Sequence, residues 1–180
     1  LIGAPIVPVV SVKELMKFMI DPISDDVFDA VWWDQTSGGV VKHEPKTQDD
    51  WDRIQTGAVS LAEGIELLKV PRPWTPAGDL NHSTGESPPE LSPAQIQAKL
   101  DKDPVLWDAK IQALRNAALE VVEVAKKKDV NALFEAGEDI DEACEACHLE
   151  YWYPGDAAAV RAWKNGRVQY GTPAPAPSHK

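Results

Sequence analysis

The chain is 180 residues long, enough for one domain around a single core, and it carries a formal net charge of -11. That balance excludes nucleic acid as a partner, because phosphates demand a basic surface, and it suits a protein partner that is basic where it docks. Solvated acidic helix faces would account for the charge equally well.

Residues 1–10 (LIGAPIVPVV) read as an extended, proline-containing N-terminal extension. Leu1-Ile2-Gly3 lacks the basic flank and apolar stretch of an export signal, and the chain does not begin with Met, so the expectation is a processed or trimmed product, its export signal removed or absent. No run approaches the roughly 18 apolar residues of a membrane span. Ser11 and Glu14 have capping-box spacing, and Val12, Leu15, Met16 and Met19 then share a helical face. Pro22 is expected to break or kink this helix near Asp21, with Ser24 capping a continuation through Val27, Phe28, Val31 and Trp32.

After the Gly38-Gly39 loop, Thr47 caps a helix whose stripe is Trp51, Ile54, Ala58, Leu61, Ile65 and Leu68, closed by Pro71 and Pro73. Residues 71–92 are rich in Pro, Gly and Ser and read as a long surface loop. Ser92-Pro93 starts a short helix that ends before Pro104. Ile111, Leu114, Ala118, Val121, Val122 and Ala125 mark the next helix, and the Lys126–Lys128 run complements its dipole. Asp129 caps the last main helix, with the stripe Val130, Leu133, Gly137, Ile140, Cys144 and Cys147, ended by Tyr153-Pro154-Gly155. A short helix over 156–164 and a Pro/Ala tail are expected in a partly disordered C-terminal extension, 154–180. The sequence shows no convincing strand series and no repeat. The expected fold is therefore all-α: an antiparallel four-helix bundle over residues 11–153.

Cys144-Glu145-Ala146-Cys147-His148 is the C-x-x-C-H pattern of covalent haem attachment. Residues three and four apart share a helical face, so both thiols can meet the two vinyl groups on one haem edge while the imidazole turns under the iron. The motif also fits other chemistry. A thioredoxin-type dithiol uses C-x-x-C, but on a strand-to-helix junction that this chain is not expected to have. Structural zinc wants four ligands, and only His43, His82 and His179 remain to complete a set. A disulfide across one helical turn would be strained. The register favours haem, because the cysteines continue the buried stripe of Leu133, Gly137 and Ile140. Gly137 costs roughly 1 kcal/mol against alanine in mid-helix. Close approach of a flat macrocycle or of a neighbouring helix would explain it.

One C-x-x-C-H near the end of the last helix of a bundle resembles the class II c-type cytochromes, the family of cytochrome c prime and its low-spin relatives. The resemblance covers roughly residues 11–153. It implies one covalent haem c held by Cys144 and Cys147, His148 as proximal iron ligand, and a periplasmic location. Low-spin members take a distal methionine from the first helix in a Leu-Met-Lys context, which here is Leu15-Met16-Lys17. The resemblance thus assigns Met16 as distal ligand, with Met19 one turn along as the other candidate. Pro22 and the bulky Trp32-Trp33 depart from the family pattern and leave a five-coordinate iron open as an alternative.

His/Met ligation implies a one-electron carrier rather than an enzyme, working with redox partner proteins. An open iron would imply binding of NO or CO. A third reading is a haem subunit of a larger oxidoreductase, docked through the 71–92 loop or the tail. The family also implies homodimerisation through the first two helices. Tyr151, Trp152 and Tyr153 would cover the haem edge, form a docking surface, or staple the helix end to the bundle. Trp51 and Trp107 are expected in the core. Lys13, Lys17 and Arg115 could meet haem propionates or remain surface charges. No role is assigned to the three histidines outside the motif.

Overall fold

The first helix begins as the spacing of Ser11 and Glu14 predicts. In the computed structural model, which describes residues 5–81 and 90–154, the Ser11 hydroxyl accepts from the Glu14 N–H at 3.3 Å. The Glu14 carboxylate in turn accepts from the Ser11 N–H at 3.0 Å. Helix α1 spans Val12–Leu15 and α2 spans Asp21–Phe28, and the intervening Met16–Ile20 is wound as a π-helix. The expected break at Pro22 does not occur. A proline ring crowds the carbonyl four residues back, here Phe18. That carbonyl lies in the widened turn, where the Asp21 N–H reaches back to the Met16 carbonyl. Ser24 is not a cap either: it is buried inside α2, where its hydroxyl donates to the Ile20 carbonyl at 2.9 Å.

The sequence reading also missed a β-hairpin. Strand β1 (Trp32–Thr36) pairs antiparallel with β2 (Gly39–His43), with Trp32 opposite His43 and Thr36 opposite Gly39. The Thr36 hydroxyl accepts from the Gly38 N–H and donates to the Gly39 carbonyl, closing the turn at 3.2 and 2.8 Å. Gly39 has a φ of +117°, which a side chain would strain. The Trp32 ring stacks on His43 at 3.8 Å, so neither extends α2.

Thr47 caps α3 (Gln48–Gly64) in a reciprocal box with Asp50, and a 3-10 turn, Ile65–Lys69, finishes it. The Lys46 and Thr47 N–H groups hold the Asp50 carboxyl well below its ordinary range, at about 2. Ser92 caps α4 (Pro93–Lys102), and non-helical backbone at Asp103, before Pro104, separates it from α5 (Pro104–Lys127). Lys128 turns left-handed and Asp129 caps α6 (Val130–Tyr151).

Helix α3 packs on α5, α5 on α6, and α2 on α3, while the side from α2 to α6 is the least closed. Two glycines admit the first helix to α3. A Cβ on Gly57 would lie 2.9 Å from Asp26 Cβ, and one on Gly64 would lie 2.9 Å from Met19 Cε. Ile54, Leu61, Ile111, Val121, Leu133 and Ile140 form the most deeply buried layer, and Trp51 and Trp107 are buried as expected. The chain is predominantly helical, with one small sheet among the described residues. None of its described helices is long and apolar enough to cross a membrane.

The loop after α3 is tied down at both ends. The Pro73 and Trp74 carbonyls accept from the Val12 and Lys13 N–H groups at 2.9 and 3.0 Å. Further along, the Asn81 side chain donates to the Leu91 carbonyl, and the Leu91 N–H donates to the Trp152 carbonyl. Trp74 meets Trp107 edge-on, and Trp107 meets Tyr151 in the same way, at 5.3 and 4.9 Å. The expected helix over 156–164 and the tail lie outside the described residues.

Leu61 is fully buried between helices, whereas Val40 on the hairpin is 63% exposed. Leu61→Ala is expected to lower unfolding stability by about 2–5 kcal/mol. Val40→Thr should change it by no more than about 0.5 kcal/mol. Denaturant titration followed by far-UV circular dichroism measures both.

Candidate functional site

Helix α6 turns its first half into the core through Leu133, Ala136 and Ile140. The same face, continued, carries Cys144 and Cys147, both half-buried free thiols packed against the core, and then the buried Tyr151. Burial pushes the Cys144 thiol up to about 12, with added repulsion from Asp141, the Cys147 sulfur, Glu145 and Asp21. Burial likewise pushes Cys147 up to about 11. Both groups are therefore neutral thiols at physiological pH, unlike the lowered thiolate of a reactive dithiol. Among the described residues no three His, Cys, Asp or Glu side chains converge on one point as metal ligands.

His148 sits on the flank of that face, and its surroundings come from the way α6 ends. The His148 carbonyl accepts from both the Trp152 and Tyr153 N–H groups, at 2.7 and 3.0 Å. That closing turn brings two aromatic rings back over the imidazole. Trp152 meets it edge-on at 5.2 Å and Tyr153 lies tilted at 5.8 Å. The Tyr153 hydroxyl donates to the Glu145 carboxylate at 2.7 Å and lies 3.3 Å from His148 Nδ1, which is itself 3.5 Å from Glu145. A hydroxyl has one hydrogen. With that hydrogen given to Glu145, Tyr153 can only accept from Nδ1. The proton then belongs on Nδ1, and Nε2 keeps the lone pair that a metal would take. His148 first, then the Tyr153 hydroxyl, hold the Glu145 carboxyl below its ordinary range.

Met16 and Met19 both lie in the π-helical stretch, half-buried against the same core cluster as the cysteines. Met19 is turned toward α3 at Gly64. Asp21, at the end of that stretch, is near enough to Cys144 to raise its titration. The first helix thus approaches α6 near Asp21, on the least closed side of the fold.

Three features bear on whether these residues could hold a haem. A Cβ on Gly137 would meet nothing within 4 Å, so close helix packing does not explain this glycine and there is open space beside α6. The buried Tyr151 Oη and Trp152 Nε1 have no hydrogen-bond partner among the described residues. An unsatisfied buried donor costs about 1–3 kcal/mol, which a bound group offering an acceptor would recover. Finally, an imidazole beside two thiols at the end of one helix is the donor set that covalent haem needs. The surface cavities of about 340 and 110 Å³ lie elsewhere, one on the outer face of α3 and one between α2, the hairpin and α3.

Other expected partners are used structurally. Lys13 pairs with Asp79 at 2.9 Å and Arg115 with Glu66 at 3.4 Å, while Lys17 lies over the Phe18 ring at 5.2 Å. His82 and His179 lie outside the described residues. The sequence reading missed Glu145, whose spacing of three from His148 was visible. It also missed Trp33, which crosses from the hairpin to meet Phe134 of α6 edge-on at 5.2 Å.

In the folded, haem-free protein, iodoacetamide at pH 8 should modify both cysteines at least tenfold more slowly than in denaturant, as read by mass spectrometry. Raised thiol values also stabilise the fold below about pH 9, and that contribution disappears as pH climbs toward 11–12. Serine at both positions should flatten this alkaline decline in a chemical-denaturation series.

Comparison with known protein families, with curated proteins and with solved structures found no match to this chain.

Proposed function

We propose that this chain is a monohaem c-type cytochrome that carries single electrons. In this reading its helices form an antiparallel four-helix bundle of the class II kind, working in the periplasm with redox partners that present a basic docking surface. Cys144 and Cys147 are the thioether residues, His148 is the proximal iron ligand through Nε2, and Met16 is the distal ligand. The observation that carries the proposal is the shared face of α6. Both thiols stand on the stripe anchored by Leu133 and Ile140, and the adjacent imidazole has its Nδ1 side already engaged.

Each thiol would add across a vinyl double bond, forming a carbon–sulfur bond and delivering its hydrogen to the neighbouring carbon without net oxidation. Bound haem supplies the ferric/ferrous couple. The protein residues do the rest. Cys144 and Cys147 would hold the haem covalently, His148 would ligate its iron, and the apolar face of α6 with the first helix would limit the access of water to the site. A thioether sulfur from Met16 would fill the sixth position and raise the reduction potential. The acidic residues along α6, among them Glu138, Asp139, Asp141 and Glu142, supply the charge that a basic partner would meet.

Expression with a haem-attachment system should give a protein whose mass rises by one haem and whose colour survives denaturation and acid extraction. Its ferric spectrum should be low-spin. Met16→Ala should convert it to high-spin and open the reduced form to CO, while Met19→Ala should leave it low-spin. A wild-type protein already high-spin and fully reactive with CO would instead favour the five-coordinate gas-binding reading. Absence of any covalent haem would overturn both.

A further inference from the structure

We infer that Tyr153 is a positioning residue that couples the Glu145 carboxylate to His148 and thereby lowers the reduction potential of the site; this rests on the haem reading above. The geometry is a short polar chain across the end of α6. Tyr153 Oη donates to Glu145 Oε1 at 2.7 Å and stands 3.3 Å from His148 Nδ1. Glu145 alone reaches Nδ1 only at 3.5 Å, too long for a strong bond, so the hydroxyl is the closer acceptor.

The arrangement has a direction. Glu145 takes the hydroxyl hydrogen, which leaves the phenol oxygen richer in electron density and a better acceptor for Nδ1–H. A ligating imidazole whose second N–H is drawn toward a carboxylate becomes a stronger donor at Nε2. A stronger donor stabilises ferric over ferrous iron. The local fold serves the chain as well. Tyr153 lies beyond the last helical turn, and it reaches His148 only because the Trp152 and Tyr153 N–H groups both close on the His148 carbonyl. Trp152 shields one side of the imidazole, and the ring and hydroxyl of Tyr153 cover another. The polar chain is therefore half-buried, where a hydrogen bond acts more strongly than in open water.

The test is spectroelectrochemical titration of the intact haem-loaded protein and its Tyr153→Phe, Glu145→Gln and doubly substituted variants. Tyr153→Phe keeps the ring and removes the hydroxyl. At the wild-type midpoint it should raise the ferrous-to-ferric ratio about three- to tenfold, and tenfold corresponds to 59 mV for one electron. Glu145→Gln should move the midpoint the same way. The double variant should move it less than the sum of the single shifts, because the two residues act along one path. A Tyr153→Phe protein with haem attached, an unchanged ferric spectrum and an unchanged midpoint would overturn the inference. Additive shifts in the double variant would overturn the coupling. A role confined to stapling the helix end would lower thermal stability and leave the midpoint alone. If the wild type attaches no haem, the haem reading itself falls, an outcome separate from any of these.

Discussion

The seating of α6 on α5 is the constraint on which the candidate site depends. Leu133 and Ile140 are almost wholly inaccessible, and Ala136 between them is nearly so. A helix advances about 100° per residue, so a slip of one position would carry this stripe off the core and Cys144 and Cys147 with it. The far end of the helix is fixed independently, where Tyr151 meets Trp107 edge-on and Trp107 meets Trp74. With both ends held, the rotation of the cysteine turn between them is set. The chemistry of the thiols follows from that rotation, since burial keeps both protonated and quiet.

The first helix is placed by a different partner. It approaches α3 through Gly57 and Gly64, and the Met19 side chain occupies the room that Gly64 leaves. Its direct contact with α6 is slighter than its contact with α3. The π-helical turn adds a local adjustment. It accommodates Pro22 without a break and sets the direction in which Met16 leaves the backbone. A side chain carried on such a turn is positioned by backbone winding as much as by packing.

Much of this was legible from the residues alone. The caps at Ser11, Thr47, Ser92 and Asp129 stand where side-chain chemistry puts them, because each satisfies orphan N–H groups within four residues. The stripes of α3, α5 and α6 were readable for the same reason: burial on one face repeats at the helical period. The parts that were not legible depend on contacts between distant segments or on a competition between local rules. Trp32-Trp33 and Val40-Val41 flank a Gly-Gly pair, a strand signal that was overridden by assuming the preceding helix continued. Pro22 has a clear local rule against it, yet a one-residue widening of the turn absorbs the conflict. Trp74 lies in the loop as expected, but its partners, Trp107 and Gln97, lie far along the chain and local rules do not reveal them. Within the site, the cysteines and His148 were visible as a motif. Tyr153 was not assigned to His148, since it joins the site only through the irregular turn after α6.

The two seams of the loop after α3 also bear on the order in which the fold assembles. Helices α5 and α6 adjoin at Lys128 and Asp129, so their pairing is local. The tie between Lys13 and Asp79, by contrast, spans 66 positions. Contacts close in sequence form early, and those that must first close long loops form late. The α5–α6 pair, with Cys144 and Cys147 on its surface, is thus expected to exist for a time before the first helix is clamped against it. During that interval the cysteine face of α6 is more exposed than in the finished fold.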